Sequence, residues 1–181
     1  MSIERISPKH YPRVGFARRA GAWMVDFLIT WSVSSILGHG SFGIHLGQIL
    51  LFFLVWAILR ILVVYNNQGQ SLGRWAFDIK LLTVNRGRVP DLQTLCQREA
   101  IIGVGALLVA IALNNLPRNP TIILFILPLA IDCGVAVSDK QLRQALHDRF
   151  AGTMIVSSQR GYSLDIKLKQ LVETVRRNVR R

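Results

Sequence analysis

The stretch Ile44–Tyr65, IHLGQILLFFLVWAILRILVVY, carries one charged side chain, Arg60. A helix needs about 20 mostly apolar residues to cross a bilayer, and this run meets that requirement. Three more apolar runs accompany it, at about 21–37, 100–113 and 121–137, with Asp26 in the first and Asp132 in the last. The expected fold class is an all-α membrane protein with about four transmembrane helices. The run at 100–113 is short for a full crossing, so a re-entrant path is its alternative.

The rest of the composition agrees. The 181 residues are 51% hydrophobic and only 18% charged, yet the net charge is +12. Soluble domains hold about 25% charged residues, and a disordered chain would hold far fewer apolar ones. Strong basicity fits either nucleic-acid binding or basic membrane flanks, and its distribution decides. Lys and Arg number 5 before the first run, 0 in 38–43, 5 in 66–99, 1 in 114–120 and 10 after Ser138. That alternation follows the positive-inside rule. It places both termini and the 66–99 segment in the cytoplasm and leaves nucleic acid without a role. Which membrane is involved stays open. The polar, basic first twenty residues do not read as a cleavable signal.

Three parts are expected: a basic segment at 1–14, a membrane domain at 15–157 and a basic tail at 158–181. Within the cytoplasmic parts, Ser71 is placed to cap a short helix that puts Leu72, Trp75, Ala76 and Ile79 on one face. Trp75 beside Arg74 suits the membrane interface. Ile79–Val84 and Thr153–Val156 read as short strands able to pair as a small hairpin-like cap, and Lys140–Phe150 reads as helix. In the tail, Leu168, Leu171, Val172, Val175 and Val179 share one helical face among basic residues. Such a helix lies on an anionic lipid surface or packs against the protein's own cytoplasmic side.

Ionisable residues inside a bilayer cost about 2.5–3.5 kcal/mol each on the insertion scale. Asp26, Arg60 and Asp132 all fall in the cytoplasmic half of their runs. They form the candidate ion or proton site, Arg60 pairing with one aspartate and leaving the other carboxylate spare. A static ion pair that fixes helix packing is the alternative. Pro128, one turn before Asp132, is expected to free the Leu124 carbonyl. Ala106/Ala110 and Ala130/Gly134 have the spacing of close helix contacts. Cys96 and Cys133 support neither a disulfide framework nor zinc. His147-Asp148 lacks further ligands nearby, so a helix-end hydrogen bond is the reading there. No nucleophile–base pair, phosphate-cradling loop or metal-ligand spacing appears. No catalytic residue, metal, cofactor or enzymatic activity is expected.

Four blocks in order resemble the RDD family of membrane proteins. Gly15-Phe-Ala-Arg-Arg19-Ala-Gly-Ala-Trp-Met-Val-Asp26 is similar to its opening, with an arginine and an aspartate seven positions later. Gln68-Gly-Gln-Ser-Leu-Gly73-Arg resembles its Gly-x-[Ser/Thr]-x-Gly-Lys/Arg block. Leu95-Cys-Gln-Arg98-Glu99 resembles its Arg-Glu helix entry. Asp139-Lys-Gln-Leu-Arg-Gln-Ala-Leu-His147-Asp148-Arg-Phe-Ala-Gly152-Thr resembles its closing block. The resemblance covers about residues 15–157 and implies family-motif roles for Arg19, Asp26, His147 and Asp148, with Asp132 as the alternative second aspartate. It implies transport, including cation/proton exchange, or an accessory role in a larger membrane assembly. The partners expected are the lipid bilayer, anionic lipid at the basic tail, and another membrane protein or further copies of the chain. Phe77-Asp78 departs from the usual Leu-Gly, so the central block is expected to pack differently here.

Overall fold

The computed structural model describes residues 12, 14–37, 45–139, 143–161, 163–167 and 170. The basic N-terminal segment, the 38–43 loop and the amphipathic tail helix expected after Asp165 lie wholly or mostly outside the described residues.

The elements that position the site follow in this order. Helix α1 is Phe16–Ser35, and α2 is the continuous Leu46–Asn66. A short helix α3, Leu72–Ala76, leads into strand β1, Ile79–Thr83. Helix α4 is Leu92–Asn115 and α5 is Pro120–Ser138. Helix α6, Leu146–Phe150, precedes strand β2, Thr153–Ser157. Three of these helices, α2, α4 and α5, are long and apolar enough to cross a membrane. Helix α1 has 20 residues, but its Arg18, Arg19, Asp26, Thr30, Ser34 and Ser35 make it more polar.

Helix α4 resolves the short third run. It starts eight residues earlier than the apolar pattern and reaches 24 residues, about 36 Å at 1.5 Å per residue. A re-entrant path is thereby replaced by a continuous helix. It begins early because Arg98 and Glu99, polar in sequence, are buried against other elements at 1% and 2% exposure.

The apolar core sits between α1, α2, α4 and α5. Trp23, Phe27 and Trp31 stack at four-residue intervals along α1, with centroids 4.9 and 6.2 Å apart. Phe27 then joins Phe52, Trp56, Ile102, Ala106, Val109, Ala110 and Leu129. Ala106 and Ala110 lie at this packed face, as their spacing suggests, whereas a Cβ at Gly134 would meet nothing within 4 Å. Small residues permit close helix approach only where a neighbour arrives.

The strands pair antiparallel from Ile79↔Ser157 to Thr83↔Thr153. This two-stranded cap belongs to the same end of the bundle as α3 and α6. Helix appears only from Leu146 among the described residues of 140–150, because Arg143 has φ 52 and Gln144 donates its backbone N–H to Asp139 Oδ2. The expected free Leu124 carbonyl is also corrected. Pro120–Ile126 is a 3-10 turn, and Leu124 O accepts the Leu127 N–H. The proline therefore strands no acceptor beside Asp132.

The Phe77-Asp78 departure has a physical meaning. Asp78 has φ 56, in the left-handed region that glycine occupies most easily and aspartate tolerates. Its carboxylate accepts from the Arg160 N–H at 3.1 Å and from the Ser158 hydroxyl. The aspartate makes the turn and ties the chain beyond β2 to it.

Candidate functional site: a buried arginine–carboxylate network

Helix α2 is not α-helical throughout. Ile58–Leu62 forms a π turn around Arg60, and such turns reorient a side chain without ending the helix. Arg60 is 2% exposed, with its guanidinium carbon 5.2 Å from the Trp56 ring centroid. Its Nη1 donates to Asp26 Oδ2 at 2.8 Å, and its Nε donates to Glu99 Oε2 at 3.0 Å.

Asp26, fully buried on α1, accepts two further bonds. Ser71 Oγ donates to Oδ2 at 2.6 Å, and the Gly73 N–H donates to Oδ1 at 2.7 Å. The Ser71 oxygen in turn accepts the Arg74 N–H as helix cap. The central motif is thus a device for holding this carboxylate. Gly69 (φ +85) lets the chain turn back against β1, and Gly73 lies so close to α1 that a Cβ would stand 2.0 Å from Ala22 O.

Glu99 is the hub. Arg60 reaches it from α2, Arg74 from α3 at 3.1 Å, and Arg98 from the preceding position on α4. Arg98 continues the network, its Nε donating to Asp148 Oδ1 at 2.9 Å and its Nη2 lying 3.1 Å from His147 Nε2. Asp148 also accepts from Thr153 Oγ1 at 3.1 Å. Burial alone would raise the Asp148 carboxyl, but Arg98, His147 and Arg19 outweigh it and hold it well below the usual carboxylate range. Asp132 on α5 takes the His147 N–H at 2.9 Å and the His147 ring through Nδ1.

A family model described as the RDD family matches residues 13–152. The chain belongs to the RDD family. No curated protein and no solved structure matches it significantly.

Of the residues that carry the resemblance, Asp26, His147 and Asp148 sit in the network, and so does Asp132, the alternative second aspartate. Arg19 lies 4.0 Å from Asp148 and donates through Nη2 to Ile155 O at 3.1 Å and through Nη1 to Arg143 O. The structure brings Asp26 and Arg60 together, as expected from their depth. It does not pair Arg60 with Asp132, and it leaves no spare carboxylate, because Asp132 has His147 instead. Glu99 and Arg74 were not in the expected site. Glu99 reads as a helix boundary in sequence, and the one available signal was its place beside Arg98 in the Arg-Glu motif. Among the described residues, no group of three or more His, Cys, Asp or Glu is placed to hold a metal ion.

Proposed function

We propose that this RDD-family chain is a non-enzymatic accessory or assembly subunit of a larger membrane complex. In this reading α1 is the fourth crossing, both termini face the cytoplasm, and the network is a static lock that joins the helices to the cap. The observation that carries it is saturation. Asp26, at 0% exposure, receives three hydrogen bonds from two separate segments, α2 and the capped start of α3, and Glu99 serves three arginines. A carboxylate held in this way exchanges a proton or cation only if the helices separate, and breaking a buried pair costs about 3–5 kcal/mol. Purification in native-lipid particles is expected to retain a heterologous membrane subunit at fixed stoichiometry. Recovery of this chain alone, from cells at natural expression, would overturn the accessory role.

One observation favours the second reading, cation or proton transport. Asp26, Thr30 and Ser34 are all buried at 0% exposure and share one face of α1, running from the network toward the Trp31–Asn114 hydrogen bond. Against it, the Thr30 and Ser34 hydroxyls donate to carbonyls of their own helix, as such residues ordinarily do.

A further inference from the structure

A cavity of about 210 Å³ lies between α1, α4 and α5, walled by Phe16, Trp23, Ile102 and Leu129 and lined at its polar end by Arg19, Arg74 and Arg98 together with the Asp148 carboxylate that Arg98 holds. It exceeds the ~150 Å³ of an engineered apolar cavity that holds benzene. Phe16 and Ala130, both on its lining, are exposed on the bundle surface. In a membrane-spanning bundle, that surface faces acyl chains.

The inner end is chemically incomplete. Arg19 Nε, Trp23 Nε1 and Arg74 Nη1 are buried and have no hydrogen-bond partner among the described residues. All three residues line this one cavity. Arg74 is 1% exposed, and only its Nη2 is engaged with a carboxylate, Glu99. A stranded buried donor is destabilising, more so when it is charged. Burial, together with Arg60 and Arg98, pushes the Arg74 guanidinium down to about 9, so an anion at its free edge would relieve both burdens. Glu99 is shared with two other arginines, and Arg19 reaches Asp148 only at 4.0 Å.

We infer that this cavity binds the headgroup and first chain segment of an anionic phospholipid from the surrounding bilayer. The phosphate accepts from the Arg74, Arg19 and Trp23 N–H groups, and one acyl chain follows the apolar walls out past Phe16 and Ala130. This site is separate from the basic tail and stands whether the network is a lock or a transport site.

The test is native mass spectrometry of the full-length protein after incubation with vesicles of phosphatidylglycerol, of phosphatidylcholine, or of phosphatidylcholine doped with oleate. One phosphatidylglycerol is expected to be retained per chain, at least tenfold over phosphatidylcholine. Trp23→Phe keeps a ring and removes only the N–H, and it is expected to weaken that retention about tenfold. Ala130→Phe, at an exposed position, is expected to close the entrance and abolish it. Equal retention of both phospholipids, or phosphatidylglycerol retention unchanged in both variants, would overturn the site. Oleate retained while phosphatidylglycerol is refused would overturn the assignment to a bilayer phospholipid.

Discussion

At the level of single residues, the network makes a ranking. Asp26→Asn removes the charge facing Arg60 but leaves Glu99 in place. Glu99→Gln deprives Arg60, Arg74 and Arg98 of their common counter-charge and turns one acceptor oxygen into a donor facing them. Both variants are expected to lose stability, by about 3–5 kcal/mol for a broken buried pair, and Glu99→Gln should be the worse. Thermal melts of the purified protein in detergent or lipid particles check the order, and equal melting temperatures would refute the hub. Acid adds a second check. The folded Asp148 carboxyl is held below its ordinary value, so folded carboxylate binds protons less readily than unfolded carboxylate, near 3.9. Its stabilisation is complete above that pH and is lost as pH falls toward the folded value. Melting temperatures should therefore drop below about pH 4, and Asp148→Asn should flatten that part of the profile. Asp26 and Arg60 were legible in sequence because a charge inside an apolar run demands a partner. Glu99 was not, because it sits at the edge of a short run, where a boundary residue and a buried hub look alike. The Asp132 partner was also hidden. His147 comes from beyond α5, and the turn around Arg143 and Gln144 helps to return it to that helix.

At the level of elements, the same distinction holds between local and tertiary causes. The Ser71 cap, the short α3 and the two strands themselves follow from local chemistry, namely a capping hydroxyl, a helical face and two five-residue segments rich in apolar residues. The π turn in α2 follows from nothing local. Apart from Arg60, Ile58–Leu62 is as apolar as its surroundings, and the distortion accompanies the burial of Arg60 between Asp26 and Glu99. The early start of α4 has the same origin. Gly73 shows how little tolerance the junction has. Gly73→Ala places a carbon against the Ala22 carbonyl, and overpacking of that kind costs about 1–3 kcal/mol. It should also withdraw the N–H from Asp26. The expected result is a lower melting temperature with the membrane segments still inserted. An unchanged melting temperature would mean that α3 does not rest on α1 as described. Asp78→Gly eases the backbone but loses the bonds to Ser158 and Arg160, and it is expected to expose the β2–tail junction to protease without changing the helical content seen by circular dichroism.

For the whole molecule, three apolar helices and an end rich in charge describe a membrane domain that anchors a small cap. Length and hydropathy made the membrane class legible. The status of α1 was less so, because its polar residues serve the network and the interior rather than lipid. If α1 is the fourth crossing, Cys96, which is exposed, should label from the same side as single cysteines placed at Ser2 and Asn178. Labelling from opposite sides would break the proposed topology. On the proposed reading the buried charges hold the fold together and carry no ion. Proton and cation flux in proteoliposomes separates a lock from a transport site, with Asp26→Asn and Asp132→Asn alongside the unmodified chain. A lock gives flux no greater than that of protein-free vesicles in all three. Flux by the unmodified chain that disappears in either variant would contradict it.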